Sequence, residues 1–89
     1  MARIAFTRNL QRLVECPAAT LPGTTVRDVL DAYFDVHPLV RGYVLDEQGE
    51  VRKHVAIFVN GESIADRHRL SDTIDEMADI HVMQALSGG

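Results

Sequence analysis

An 89-residue chain that is 46% hydrophobic and 25% charged holds enough apolar mass for one modest core and leaves no room for a second domain. A chain of this size buries roughly 60 to 65% of its unfolded surface, so a deep dry catalytic cleft competes with the core for apolar residues; a binding surface or a reactive terminus is easier to build. The net charge of -4 argues against generic affinity for nucleic acid, which needs a clustered basic face, and the lone Cys16 excludes an internal disulfide and a four-thiolate iron-sulfur cluster.

Residues 3–7 alternate, with Ile4 and Phe6 on one side and Arg3 and Ala5 on the other, the period-2 pattern of a half-buried strand. In residues 9–14, Leu10, Leu13 and Val14 at i, i+3 and i+4 predict a short helical turn pinned to the core and ended by Cys16-Pro17. Residues 18–21 read as a short second strand closed by the turn dipeptide Pro22-Gly23. The strongest helix signal covers residues 26–36. There Val26, Val29, Leu30, Tyr33 and Phe34 form one stripe, while Arg27, Asp28, Asp31 and Asp35 face water. Thr25 followed by Asp28 matches a capping box, and His37-Pro38 stops the helix because a residue before proline is pushed out of αR.

Residues 42–45 and 51–59 flank the polar stretch Asp46-Glu47-Gln48-Gly49-Glu50, which predicts a β-hairpin with a five-residue connection. Val55, Ile57 and Val59 point one way, Ala56 and Phe58 the other. Asn60-Gly61 is the strongest tight-turn dipeptide and leads into a very short strand at 62–64. Residues 70–76 read as a loop or single helical turn, with Ser71 as N-cap and Ile74 as core anchor. Residues 79–85 make the last strand, with Ile80 and Val82 on one face and His81 and Met83 on the other. The expected organisation is a domain over 1–85 and a flexible diglycine tail over 86–89. The order β, β, α, β, short β, β predicts an α+β β-grasp (ubiquitin-like) fold, a mixed sheet of four to five strands packed on one main helix.

Charge is unevenly spread: +3 over residues 1–27, -5 over 28–50, +2 over 51–69 and -4 over 70–89. The acidic blocks predict a surface that steers a basic partner. The first residues reach Arg3 at once, and no stretch approaches 18 apolar residues; a cytoplasmic protein without membrane contact is expected. His37, His54, His68 and His81 lack paired metal-ligand spacing, so no metal site is expected. Asp66 and His68 near Ser63 or Ser71 lack the strained nucleophile turn of a hydrolytic triad. Cys16 beside Pro17 reads as a buried apolar thiol, and Lys53 as the lone lysine leaves almost no amine for self-conjugation.

The segments Val55-Ala56-Ile57-Phe58-Val59-Asn60-Gly61-Glu62 and Asp79-Ile80-His81-Val82-Met83, with a terminal Ser87-Gly88-Gly89, resemble the MoaD/ThiS family of ubiquitin-like sulfur-carrier proteins, over nearly the whole chain. The resemblance implies a protein cosubstrate with no stably bound cofactor. An E1-like activating enzyme would use ATP to adenylate the Gly89 carboxylate, and a sulfur donor would turn the acyl-adenylate into a thiocarboxylate for a sulfur-accepting synthase, of which the chain would be a small subunit. Gly88 and Gly89 then supply a thin, conformationally free thread for a narrow channel. Met83, Leu86 and Ser87 are read as partner contacts, and Phe58 as sheet-face filler first and contact second. Two alternatives stay open: a modifier conjugated through Gly89 to target lysines, and a noncatalytic binding subunit that uses the sheet face alone.

Overall fold

The computed structural model describes residues 1–84. Eight elements follow in chain order: β1 (Ala2–Phe6), α1 (Arg8–Gln11), β2 (Ala19–Leu21), α2 (Val26–Val36), α3 (Pro38–Val44), β3 (Val55–Val59), β4 (Glu62–Ser63) and β5 (Asp79–Gln84). The five strands form one mixed sheet in the order β2-β1-β5-β3-β4. β1 and β5 run parallel at its centre, and every other pair is antiparallel. With the helices on one face, this is the β-grasp arrangement that the element order predicts.

The alternation in β1 and β5 puts Ile4, Phe6, Ile80 and Val82 in the core, where Val55 and Ile57 of β3 join them. The predicted stripe of α2, Val26, Val29, Leu30, Tyr33 and Phe34, is buried against this layer. Its N-terminus carries the full capping box: Asp28 N–H donates to Thr25 Oγ1 at 3.1 Å, and the Asp28 carboxylate accepts from Thr24 N–H at 3.1 Å and Thr25 N–H at 3.3 Å. Those bonds hold the Asp28 carboxyl below its usual range. Thr25→Ala is expected to cost about 1 kcal/mol of stability in urea denaturation, the usual value of an N-cap. Gly23 is also restricted, because at φ +153° a Cβ there would lie 2.7 Å from Asp28 Cβ.

Four expectations are corrected. Residues 42–44 are not strand but the end of α3, and the predicted hairpin is reduced to a single Leu45–Val51 bridge. Pro38 sits at the first turn of α3, and Val40 and Val44, one helical turn apart, are both fully buried; burying them stabilises the helix by about 1.5 to 3 kcal/mol each, more than the strand preference of Val and Tyr. Leu13 is 55% exposed, because α1 ends at Gln11 before its periodicity can continue. Ile64 lies beyond β4 and is buried. Residues 70–76 take the loop reading, with Leu70 buried at φ +55° in the left-handed region, so the Ser71 N-cap is the part that is corrected.

Ser71 caps nothing but donates from Oγ to the Asp66 carboxylate at 2.5 Å, which also accepts from Arg69 N–H at 3.0 Å and His68 N–H at 3.1 Å. The Ser71 bond, with those from Arg69 and His68, brings the Asp66 carboxyl from 3.8 down to about 2. A folded-state value below the unfolded one means the stabilisation is complete above pH 3.8 and is lost as pH falls toward about 2. Asp66→Asn is therefore expected to lower the melting temperature near neutral pH and to flatten its decline across that acid window, read by thermal melts at stepped pH. Arg27 closes the same region, donating to Arg69 O at 2.7 Å and Gly49 O at 3.0 Å and so clamping two loops onto α2.

Candidate functional site

The face of the sheet away from α2 is open. Register puts Ala56 opposite Met83 and Phe58 opposite His81 on β3 and β5, with Ala5 beside His81 on β1. Period-2 alternation sends all five to the uncovered side. Met83 is 45% exposed and Phe58 is half-buried. Together they form a ridge between two shallow depressions. One, of about 410 Å³, is lined by Phe6, Thr7, Phe58, Gly61, His81 and Met83. The other, of about 360 Å³, takes in Lys53, His54, Ala56, Arg67, Met83 and Gln84.

Gly61 contributes through the Asn60-Gly61 turn, where φ values of 51° and 87° make the two-residue connection from β3 to β4, a geometry Asn and Gly tolerate and other residues resist. The turn is tied to the start of β5, since Asn60 N–H donates to Asp79 O at 2.8 Å and Asp79 N–H to Asn60 Oδ1 at 2.9 Å.

β5 leads toward the C-terminus from the sheet's middle, hydrogen-bonded on both sides, so its end is a firmly held base. At its last position Gln84 N–H donates to Thr7 Oγ1 at 3.4 Å, and Thr7 N–H donates to Val82 O at 3.1 Å. On the other flank Gln84 faces Val55, whose carbonyl, with that of Arg52, accepts from the Arg67 guanidinium at 2.7 and 2.8 Å. Of the predicted contact residues, the structure brings Met83 and Phe58 together. Leu86, Ser87, Gly88 and Gly89 lie outside the described residues. Thr7 and Arg67 were invisible as neighbours of the strand end, because only strand pairing and a long-range side-chain bond put them there.

The remaining chemistry-bearing groups make contacts within the fold. Burial pushes the Cys16 thiol up. The Tyr33 hydroxyl donates to Pro17 O at 2.7 Å, and burial, with the neighbouring Cys16 and Glu15, pushes it up to about 12. His37 packs on Tyr33 with ring centroids 4.7 Å apart, and His68 Nδ1 lies 2.9 Å from a Glu50 carboxylate oxygen. Among the described residues, no three His, Cys, Asp or Glu side chains converge as metal ligands, and no helix is long and apolar enough to cross a membrane.

Comparison with known proteins bears on the whole chain. The model of the ThiS family matches residues 8–89. No curated protein matches. Among solved structures, SAMP1 from Haloferax volcanii is similar at 24% identity with a TM-score of 0.78, covering 99% of this chain and 98% of that one. A chain of the BexX/CysO complex from Amycolatopsis orientalis is similar at 16% identity and a TM-score of 0.83, with 100% of both chains covered. CysO from Mycobacterium tuberculosis is similar at 16% identity and 0.80, covering 97% of this chain and 100% of that one. At these identities the structural likenesses establish the ubiquitin-like β-grasp fold.

Proposed function

The chain belongs to the ThiS family, and from that premise we propose that it is a protein cosubstrate that carries sulfur on the carboxylate of Gly89. The observation that carries the proposal is that the family match runs through residue 89 and so includes Ser87-Gly88-Gly89. A carboxylate is a poor electrophile until it gains a leaving group. A Gly89 carboxylate oxygen attacks the α-phosphorus of ATP, the bond to pyrophosphate breaks, and an acyl-adenylate forms. Hydrosulfide then attacks the carbonyl carbon; the new C–S bond forms as the C–O bond to AMP breaks, AMP leaves, and the thiocarboxylic acid gives up its proton. The product is a soft anionic nucleophile ready for a sulfur-accepting synthase.

The chain's own part is presentation. β5 supplies a fixed base, the two glycines a thread without Cβ atoms, and the Phe58–Met83 ridge an adaptable apolar surface on which an E1-like enzyme and later an acceptor can dock. The test is intact mass after incubation with ATP, sulfide and an activating enzyme of this system. A gain of about 16 Da, one oxygen exchanged for sulfur, confined to the C-terminal peptide, is expected. No gain with any of several such enzymes overturns the proposal.

A second reading, a protein modifier, draws on the similar structure from Methanosarcina acetivorans described as small archaeal modifier protein 1, at 22% identity. It predicts diglycine remnants on lysines of other proteins in digested cell extracts, and such remnants without the sulfur-bearing form would favour it.

A further inference from the structure

The basic residues lie far apart in the chain, but the sheet gathers four of them, with His54 beside them, around the end of β5. Because β1 runs parallel to β5 and Thr7 is bonded to Gln84, Arg8 follows directly beside the strand's exit. Because β3 runs antiparallel with Val55 opposite Gln84, Arg52, Lys53 and His54 precede it on the other flank, and Arg67 is held there by its bonds to Arg52 O and Val55 O. Arg8 and Lys53 are exposed, and neither side chain has an ion-pair or hydrogen-bond partner among the described residues. At the opposite end of β5, about 17 Å away at strand rise, stand Asp75, Glu76 and Asp79, with Glu62 beside the Asn60-Gly61 turn that is bonded to Asp79. A chain of net charge -4 is therefore mainly basic where β5 ends, with Asp46 and Glu47 beside Arg52, and mainly acidic at the far end, where Arg3 pairs with Asp79 at 3.4 Å.

Resting on the reading that Gly89 is the activated group, we propose that this basic collar docks on a carboxylate-lined rim around the channel of the activating enzyme that admits the tail. Reach decides what the collar meets. Five residues, 85–89, span at most about 17 Å, so a collar at their root is not required to touch the nucleotide phosphates at the reacting carbonyl; it stands level with the protein surface at the channel's mouth. Partner carboxylates there attract the collar and repel the acidic end, so an approaching chain arrives tail first. Exposed charges of this kind act on encounter rate more than on final affinity, and within a screening length of about 10 Å the local collar outweighs the net charge.

The test reverses the two flanking charges together, Arg8→Glu with Lys53→Glu, in the full chain, and follows pyrophosphate release by an activating enzyme that adenylates the wild type. A fall in kcat/KM on the order of 10- to 100-fold at low salt, with kcat at saturation retained, is expected. Added salt should slow the wild type and leave the variant nearly unchanged. The milder Arg8→Gln, Lys53→Gln pair should show a smaller loss in the same direction, and thermal melts verify that both variants fold. Adenylation that ignores charge and salt overturns the collar while leaving the Gly89 reading intact, and a wild type that no activating enzyme adenylates overturns both. Retention of an RNA oligonucleotide by the wild type, lost in the variant while kcat/KM stays constant, assigns the collar to nucleic acid and overturns the proposal as stated.

Discussion

Removing Gly88 and Gly89 is expected to abolish sulfur loading, with ATP–pyrophosphate exchange falling by at least about 10³-fold, because the reacting carbonyl then sits two residues short of the nucleotide and even a misplacement of about 1 Å costs on the order of 10²-fold. Gly88→Val tests the thread itself. It keeps the length and the terminal carboxylate but adds a β-branched side chain that restricts φ and widens the chain, and an exchange rate reduced by about 10²-fold or more is expected. The described core is built from residues between Ala2 and Val82, so both variants should melt at the wild-type temperature. A Gly88→Val chain that loads sulfur at the wild-type rate would remove the reason for the diglycine.

Met83→Asp is expected to weaken binding to the activating enzyme by about 10-fold or more, the cost of placing a charge at the centre of an apolar contact. Met83 is 45% exposed, so the substitution opens no cavity in the core, and the loss should be seen in titration calorimetry with little change in melting temperature. Leu39→Asp serves as the control. Leu39 is 78% exposed on α3, on the helical side of the molecule, and its replacement should leave binding unchanged. Equal losses from the two would show that the sheet face is not the docking surface.

Where the local pattern and the final environment agree, the chain is readable. Thr25 and Asp28 cap α2 as their spacing predicts, and the five positions of its predicted apolar stripe are the five that are buried. Asn60-Gly61 turns β3 into β4, and Met83 emerges on the face opposite Ile80 and Val82. Residues 38–44 show the opposite case. Val40, Tyr43 and Val44 favour strand by composition, yet helix wins because Pro38 starts one and because Val40 and Val44 then share a buried side. Leu70 is similar: its buried side chain is obtained only with a positive φ, which a network centred on Asp66 supports and which no local rule for leucine would suggest.

The amino-acid sequence by itself determined the type of most elements, the inward and outward faces of β1, β3, β5 and α2, and the terminal Ser87-Gly88-Gly89 on which the chemistry is proposed to occur, because periods of 2 and 3.6 and the properties of glycine are written in neighbouring residues. Only the tertiary structure decided that β1 lies parallel to β5 at the sheet's centre, that Phe58 stands beside Met83, and that Arg8 and Lys53, 45 positions apart in the chain, flank one exit. Strand partners are chosen by shared burial against α2 and by which loops can close, and neither of those quantities belongs to any single stretch of chain.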